Sequence, residues 1–265
     1  MKQFEMREFR GSDGTVYGAR DTTSAGHARK LDLSLLEVLN DTPAWLTASE
    51  RLLLFTLTYS LRPSRYLEIG VLHGGASLIV SRGMDAAGYD GTLILIDPDP
   101  QIEPVHWDQM SERTILLRGR SPQAIPEARS AAGGPFDFVF IDAGHSTEAV
   151  MRDAEGVLPH VQDGAYMLFH DSYRPEIAEA IDRFTRIHLG SIVDFGTLTR
   201  EFHSSERSSE EGGGRRFSCG MRMVQVRRRH GQTRRISRLQ GIGDRLDRRL
   251  QRVRQALRRR FRTRA

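Results

Sequence analysis

The stretch RYLEIGVLHGGASL, residues 65–78, decides how the rest of the chain is read. An apolar run carrying the acid Glu68 leads into three glycines within six positions, Gly70, Gly74 and Gly75, and then into a helix-forming segment. Main chain without Cβ atoms where a strand turns into a helix lets a ligand or a second piece of backbone come close. The next apolar run, GTLILIDPD, ends in Asp97, 23 residues after Gly74. That is near the spacing of about 20 at which an acid reaches the hydroxyls of a ribose. The pair points to an adenosine-containing ligand. The alternative is structural: glycines for tight strand–helix packing, and Asp97 as a turn cap.

The ligand is not a dinucleotide by this pattern. The spacing is G-x-x-x-G-G rather than G-x-G-x-x-G, and the G-K-[ST] of a phosphate loop is absent. Glu68, two residues before the first glycine, would repel a pyrophosphate. An acid there suits a ligand with positive charge, an amino group or a sulfonium.

Working outward, the pattern alternates. TASERLLLFTLTYSL (47–61) reads as a helix opened by a Thr47–Glu50 capping box and closed by Pro63. LDLSLLEVLN (31–40) reads as a short helix, and residues 1–30 as irregular. Strands at RYLEIG, GTLILIDPD, RTILLRG, FDFVFID and GAYMLFHD are interleaved with helices, one of them begun by Ser121 with Pro122 at its first position. The strands are continuous apolar runs, as expected where helices cover both faces. SIVDFGTLTREF and FSCGMRMVQV follow without a helix between them and read as an antiparallel hairpin. The expected fold is a doubly wound, Rossmann-like α/β sheet, mostly parallel with a terminal antiparallel hairpin.

Charge is segregated. Residues 227–265 hold sixteen arginines and two acids, leaving 23 basic against 32 acidic residues in 1–226. The expected organisation is an N-terminal helical extension (1–60), a ligand-binding domain (61–226) and an arginine-rich tail (227–265). In the tail, Leu246, Leu250, Val253, Leu257 and Phe261 fall on one stripe of a helix. Such a helix could lie on an anionic membrane, bind another acidic partner such as a second subunit, or, less favoured without interleaved aromatics, bind nucleic acid. A solvated basic tail is the plain alternative. The single cysteine excludes an intramolecular disulfide, and no apolar stretch approaches the length of a membrane span. A soluble, cytoplasmic protein with peripheral membrane contact through the tail is expected.

The second informative block is FVFIDAGHSTEAVMRDAEGVLPHVQDGAYMLFHDS. Asp142 ends one strand, His145 follows three residues later, and an adjacent strand ends in His170-Asp171. Neighbouring strand ends lie about 5 Å apart, so Asp142, His170 and Asp171 can converge at one rim and hold a divalent metal. The alternatives are a helix cap for Asp171 and ordinary hydrogen bonding for His145 and His170. His73 is a further candidate for cofactor contact, and Trp107 for the substrate side. Cys219 falls on the expected last strand, away from the site.

LEIGVLHGGASL followed by LILIDPD resembles the first two motifs of class I S-adenosylmethionine-dependent methyltransferases, and the resemblance extends over about residues 60–226. It implies that Gly70 and Gly74 flank the methionine part of the cofactor and that Glu68 positions the loop. Asp97 would hold the ribose, and Ser121 would lie near the adenine. The acid–histidine block resembles small-molecule O-methyltransferases, including macrolide sugar O-methyltransferases and the cephalosporin-hydroxylase-associated family. There an I-D-x-x-H stretch and a later pair of acids hold magnesium. His170 in place of an acid departs from that pattern and shifts the expected metal toward manganese, iron or zinc.

The resemblance implies metal-assisted methylation of a hydroxyl on a sugar or secondary metabolite. His145 would be the base, and Asp142 would be shared between metal and cofactor. The alternatives are an RNA methyltransferase anchored by the tail, and a non-catalytic scaffold or membrane adaptor on the same fold.

Overall fold

The computed structural model describes residues 6–10, 16–20, 33–206 and 215–228, which belong, apart from Arg228, to the compact unit Met1–Arg227. The tail stripe from Leu246 to Phe261 lies outside the described residues.

Strands β1 (Met6–Arg10) and β2 (Val16–Arg20) pair antiparallel where an irregular segment is expected. Residues 11–15, which connect them, lie outside the described residues. The expected 31–40 helix is two short turns, a 3-10 turn at Leu33–Leu36 and α1 (Val38–Asp41).

Helix α2 (Ala48–Leu61) has the expected capping box. The Glu50 backbone N–H donates to the Thr47 hydroxyl, and the Thr47 N–H donates to Glu50 Oε2 at 2.8 Å. It ends at Arg62, left-handed, one residue before Pro63. The chain continues through β3 (Arg65–Ile69), α3 (Gly75–Ala87), β4 (Thr92–Asp97), α4 (Pro104–Trp107) and β5 (Thr114–Arg118). It then passes through α5 (Ile125–Ala131), β6 (Phe136–Ile141), α6 (Thr147–Val157), β7 (Val161–Phe169) and α7 (Pro175–Ile187). Helix α5 starts three residues later than expected, with Ala124 as its cap, because Pro126 supplies the fixed φ that suits a first turn. Ser121 is thus not a helix cap.

The last elements are β8 (Ile192–Thr197), β9 (His203–Glu206), β10 (Arg215–Ser218) and β11 (Arg222–Val226). Seven strands form the main sheet in the order β5-β4-β3-β6-β7-β11-β8, with β3, β4, β5, β6 and β7 parallel and β11 antiparallel to both neighbours. The terminal hairpin is therefore β8 with β11, but the later strand inserts between β7 and β8. Burial explains the order. Met223, Val224 and Val226 are buried and need strands on both sides, whereas β8 is half-exposed and suits an edge. Strands β9 and β10 form a separate two-stranded sheet within the connection.

Alternate residues of each central strand feed opposite faces. Leu67, Ile69, Val139 and Ile141 pack with α5, α6 and α7, while Tyr66, Leu95, Phe138 and Phe140 pack with α2 and α3. Burying both faces fixes the register, and the register aligns the carboxyl ends of β3, β4, β6 and β7 at one rim. Among the described residues, no helix is long and apolar enough to cross a membrane.

Candidate active site

A cavity of about 770 Å³ opens at that rim, within the range of small-molecule and cofactor sites. It brings together Glu68, Gly70, Asp97, Ser121, Asp142, His145, His170 and Asp171. Gly74 is the exception among the expected residues. It is the left-handed cap of α3, and its missing Cβ faces Ile102 and Met110 rather than the cavity. His73 lines the cavity, whereas Trp107 packs against the core.

The glycine loop answers its opening question in both senses. Gly70 has φ +90°, and a Cβ there would stand 2.1 Å from the Asp142 carbonyl oxygen, so it lets the ends of β3 and β6 close on each other while lining the cavity. Gly75 is bare for a different neighbour, since a Cβ would stand 2.4 Å from the Ala44 nitrogen.

Asp97 first holds the loop. Its Oδ2 accepts from the Val71 and Leu72 N–H groups at 2.7 and 3.0 Å, and its Oδ1 accepts from the Asp99 N–H at 2.8 Å. Glu68 is buried and accepts from the Tyr66 and Ser77 hydroxyls, both on Oε2, which leaves Oε1 for a ligand. Burial pushes its carboxyl up to about 8, with the Asp142 and Asp97 carboxylates adding to the rise. A cation beside it would reverse that shift. Burial also pushes the Asp153 carboxyl up, a shift the Ser121 hydroxyl beside it opposes. A bare turn, a buried acid lacking a cation and a cavity of this size fit S-adenosylmethionine.

The three expected metal residues meet at the rim, with His170 Nδ1 3.8 Å from Asp171 Oδ1. The Nδ1 of His170 lies 3.0 Å from Asp142 Oδ1, and its Nε2 lies 3.5 Å from Glu50 Oε1. Burial would push this imidazole down, but the carboxylates of Asp142 and Glu50 outweigh it and hold it well above its ordinary range. Glu50 responds in kind: burial would raise it, but His170 and the Thr47 and Gly220 N–H groups hold it below its usual range. Among the described residues, no three His, Cys, Asp or Glu side chains group so as to hold a metal ion.

Asp171 is not a helix cap; the cap of α7 is Arg174. In a left-handed conformation at φ 57°, Asp171 receives the Cys219 N–H on Oδ1 at 2.5 Å and faces His145 Nε2 with Oδ2 at 3.3 Å. Cys219 precedes β11 and lines the cavity, contrary to its expected place on the last strand. Its thiol is pushed up by burial and by Glu50. Glu50 itself was visible in the sequence only as a capping residue, because its second contact, the Gly220 N–H at 2.6 Å, spans 170 residues.

The profile of a family described as Methyltransferase domain matches residues 67–172. No match is found among curated proteins. An O-methyltransferase from Bacillus cereus in complex with S-adenosylhomocysteine aligns over 77% of this chain and 94% of its own, with 17% identity and TM-score 0.51. The O-methyltransferase of tomaymycin synthesis from Streptomyces achromogenes, in complex with S-adenosylmethionine, gives the same coverage, identity and score. An S-adenosylmethionine-dependent O-methyltransferase from Thermotoga maritima aligns over 84% of this chain and 78% of its own, with 11% identity and TM-score 0.51. At these identities the likeness is one of fold. The profile match covers residues 67–172, and the fold is the one shared with these S-adenosylmethionine-dependent O-methyltransferases. The matched segment runs from Leu67 in the glycine strand to Ser172, the residue after His170-Asp171.

Proposed function

We propose that the protein methylates a hydroxyl group of a small molecule, with His145 as the general base and Asp171 as the residue that positions it. The observation that carries this reading is the His145–Asp171 contact, 3.3 Å between Nε2 and Oδ2, at the wall of the cofactor cavity. A hydroxyl is a poor nucleophile until its proton is removed, and an imidazole oriented by a carboxylate is suited to removing it. When bound, S-adenosylmethionine supplies a methyl group on a sulfonium, which leaves as S-adenosylhomocysteine when the acceptor oxygen takes the methyl.

The chain's own residues do the rest. The Gly70 turn would admit the ligand, Asp97 pins the loop and would offer Oδ1 to a ribose hydroxyl, and Oε1 of Glu68 would be available to a positive group. His145 takes the acceptor proton, and the imidazolium of His170 holds Asp142 in place. No step is assigned to a metal.

The test is methyl transfer from labelled S-adenosylmethionine to a panel of hydroxylated small molecules. Replacing His145 with alanine is expected to lower kcat about 10²- to 10⁴-fold while leaving the affinity for S-adenosylhomocysteine within about twofold. Equal loss of affinity and turnover would remove His145 from the base role.

A further inference from the structure

The turn from α7 into β8 carries two apolar side chains that the fold leaves outside its core. Ile187 is 54% exposed and Leu189 is 86% exposed, more than any other large apolar residue among the described ones. A singly exposed leucine is ordinary, so the surroundings decide whether this pair means anything. The turn is closed by its own hydrogen bonds. The His188 N–H donates to the Phe184 carbonyl at 3.1 Å, and the Ser191 and Ile192 N–H groups return to the His188 carbonyl at 2.9 and 3.1 Å. The His188 ring packs on Phe184 with centroids 4.9 Å apart, and its Nε2 lies 2.9 Å from Glu155 Oε1. Gly190, at φ +92°, takes the left-handed step that turns the chain into β8. A fixed backbone thus holds Leu189 outward.

Cations accompany the pair. Arg183 and Arg186 are exposed near the end of α7, Arg183 one helical turn before Ile187. Strand β11 ends at the same place: Val226 pairs with Ile192, and the Arg227 N–H donates to the Ser191 carbonyl at 2.8 Å. From Arg227 onward the sequence holds sixteen arginines and two acids. The Glu155 carboxylate beside the turn is engaged by His188.

From this geometry we infer that the α7–β8 turn is a membrane-docking surface: Leu189 and Ile187 enter the interface of an anionic bilayer while the arginines meet its phosphates. Two apolar side chains are too few to hold a protein at a bilayer, and cations alone stay at its surface; stable peripheral attachment takes both signals. An RNA would use the arginines but neither Leu189 nor Ile187. A second copy of the chain would bring like charges against one another. Strand β8 runs parallel to β7, since both are antiparallel to β11, so Ile192 lies at the end of the sheet opposite the cavity rim. Docking here leaves the cavity open to water and does not depend on methyl transfer.

Flotation of the full chain with phosphatidylcholine vesicles containing phosphatidylglycerol tests this. The wild type is expected to bind them and to leave vesicles of phosphatidylcholine alone unbound. Leu189→Ser removes the apolar side chain without changing the charge and is expected to lower partitioning about ten- to hundredfold. Leu189→Phe is expected to retain partitioning, and both variants to unfold thermally with the wild type, because the residue is outside the core. With Trp45 and Trp107, the two tryptophans of the chain, replaced by phenylalanine, Leu189→Trp is expected to shift its emission to the blue on vesicle binding and to be quenched by brominated acyl chains. Equal partitioning of wild type and Leu189→Ser, or no such quenching in Leu189→Trp, overturns the membrane surface. Binding to RNA without binding to the anionic vesicles overturns it too. So does a vesicle-free dimer that Leu189→Ser dissociates, which would make the face a contact between copies of the chain.

Discussion

Glu68 shows how much one buried acid carries. Its folded carboxyl, at about 8, lies above the ordinary value of 4.5, so the folded state holds a proton that the unfolded chain has lost between those limits. Stability from this group is complete below pH 4.5 and declines as pH rises toward 8, by about 1.4 kcal/mol per pH unit. Urea denaturation from pH 5 to 8.5 is expected to show that decline in the wild type and a flatter profile in Glu68→Gln. Cofactor binding works in the other direction. A cation beside Glu68 favours the carboxylate, so S-adenosylmethionine binding near pH 7 is expected to release a proton. Calorimetry in two buffers of different ionisation enthalpy measures that release, and identical heats in both would remove Glu68 from the binding site. Asp97→Ala frees the Val71 and Leu72 N–H groups and is expected to weaken S-adenosylhomocysteine binding at least tenfold, since hydrogen bonds to a charged group contribute about 1.5–3 kcal/mol each.

Helix α2 and the β3–α3 turn connect these residues to the fold. The capping box was legible because it is local: Thr47 and Glu50 are three residues apart, and both bonds form within one turn. The second duty of Glu50 was not legible, because His170 and Gly220 come to it from distant segments. The two duties separate by mutation. Thr47→Ala is expected to cost about 1 kcal/mol, an ordinary capping loss. Glu50→Ala also leaves the buried His170 imidazolium with one carboxylate fewer and is expected to cost about 3–5 kcal/mol. Chemical denaturation of both variants checks the difference, and equal costs would reduce Glu50 to a cap. Gly70→Ala is expected to fold poorly or not at all, because the Asp142 carbonyl occupies the place of the new Cβ. Thermal unfolding reads this directly.

For the molecule as a whole, the arginine-rich segment is expected to be separable from the chemistry. A chain ending at Arg228 keeps the whole main sheet and the cavity. It is expected to methylate a small acceptor at the wild-type rate and to lose sedimentation with anionic vesicles, to which each basic residue contributes about 1 kcal/mol. Loss of small-molecule turnover on truncation would tie the tail to the site. The alternating apolar strands and helices, the glycine turn and Asp97 fixed the class of fold from the sequence, because burial on both faces of a parallel sheet and left-handed turns leave local signatures in composition and spacing. The convergence of Asp142, His170 and Asp171 was also readable, from their places at strand ends. What each does there was not. Which carboxylate pairs with which histidine, that His170 sits between two acids and that Cys219 reaches the cavity all depend on contacts between segments tens to hundreds of residues apart. Such pairings are set by how sheet and helices pack, and packing distances are not encoded in spacing along the chain.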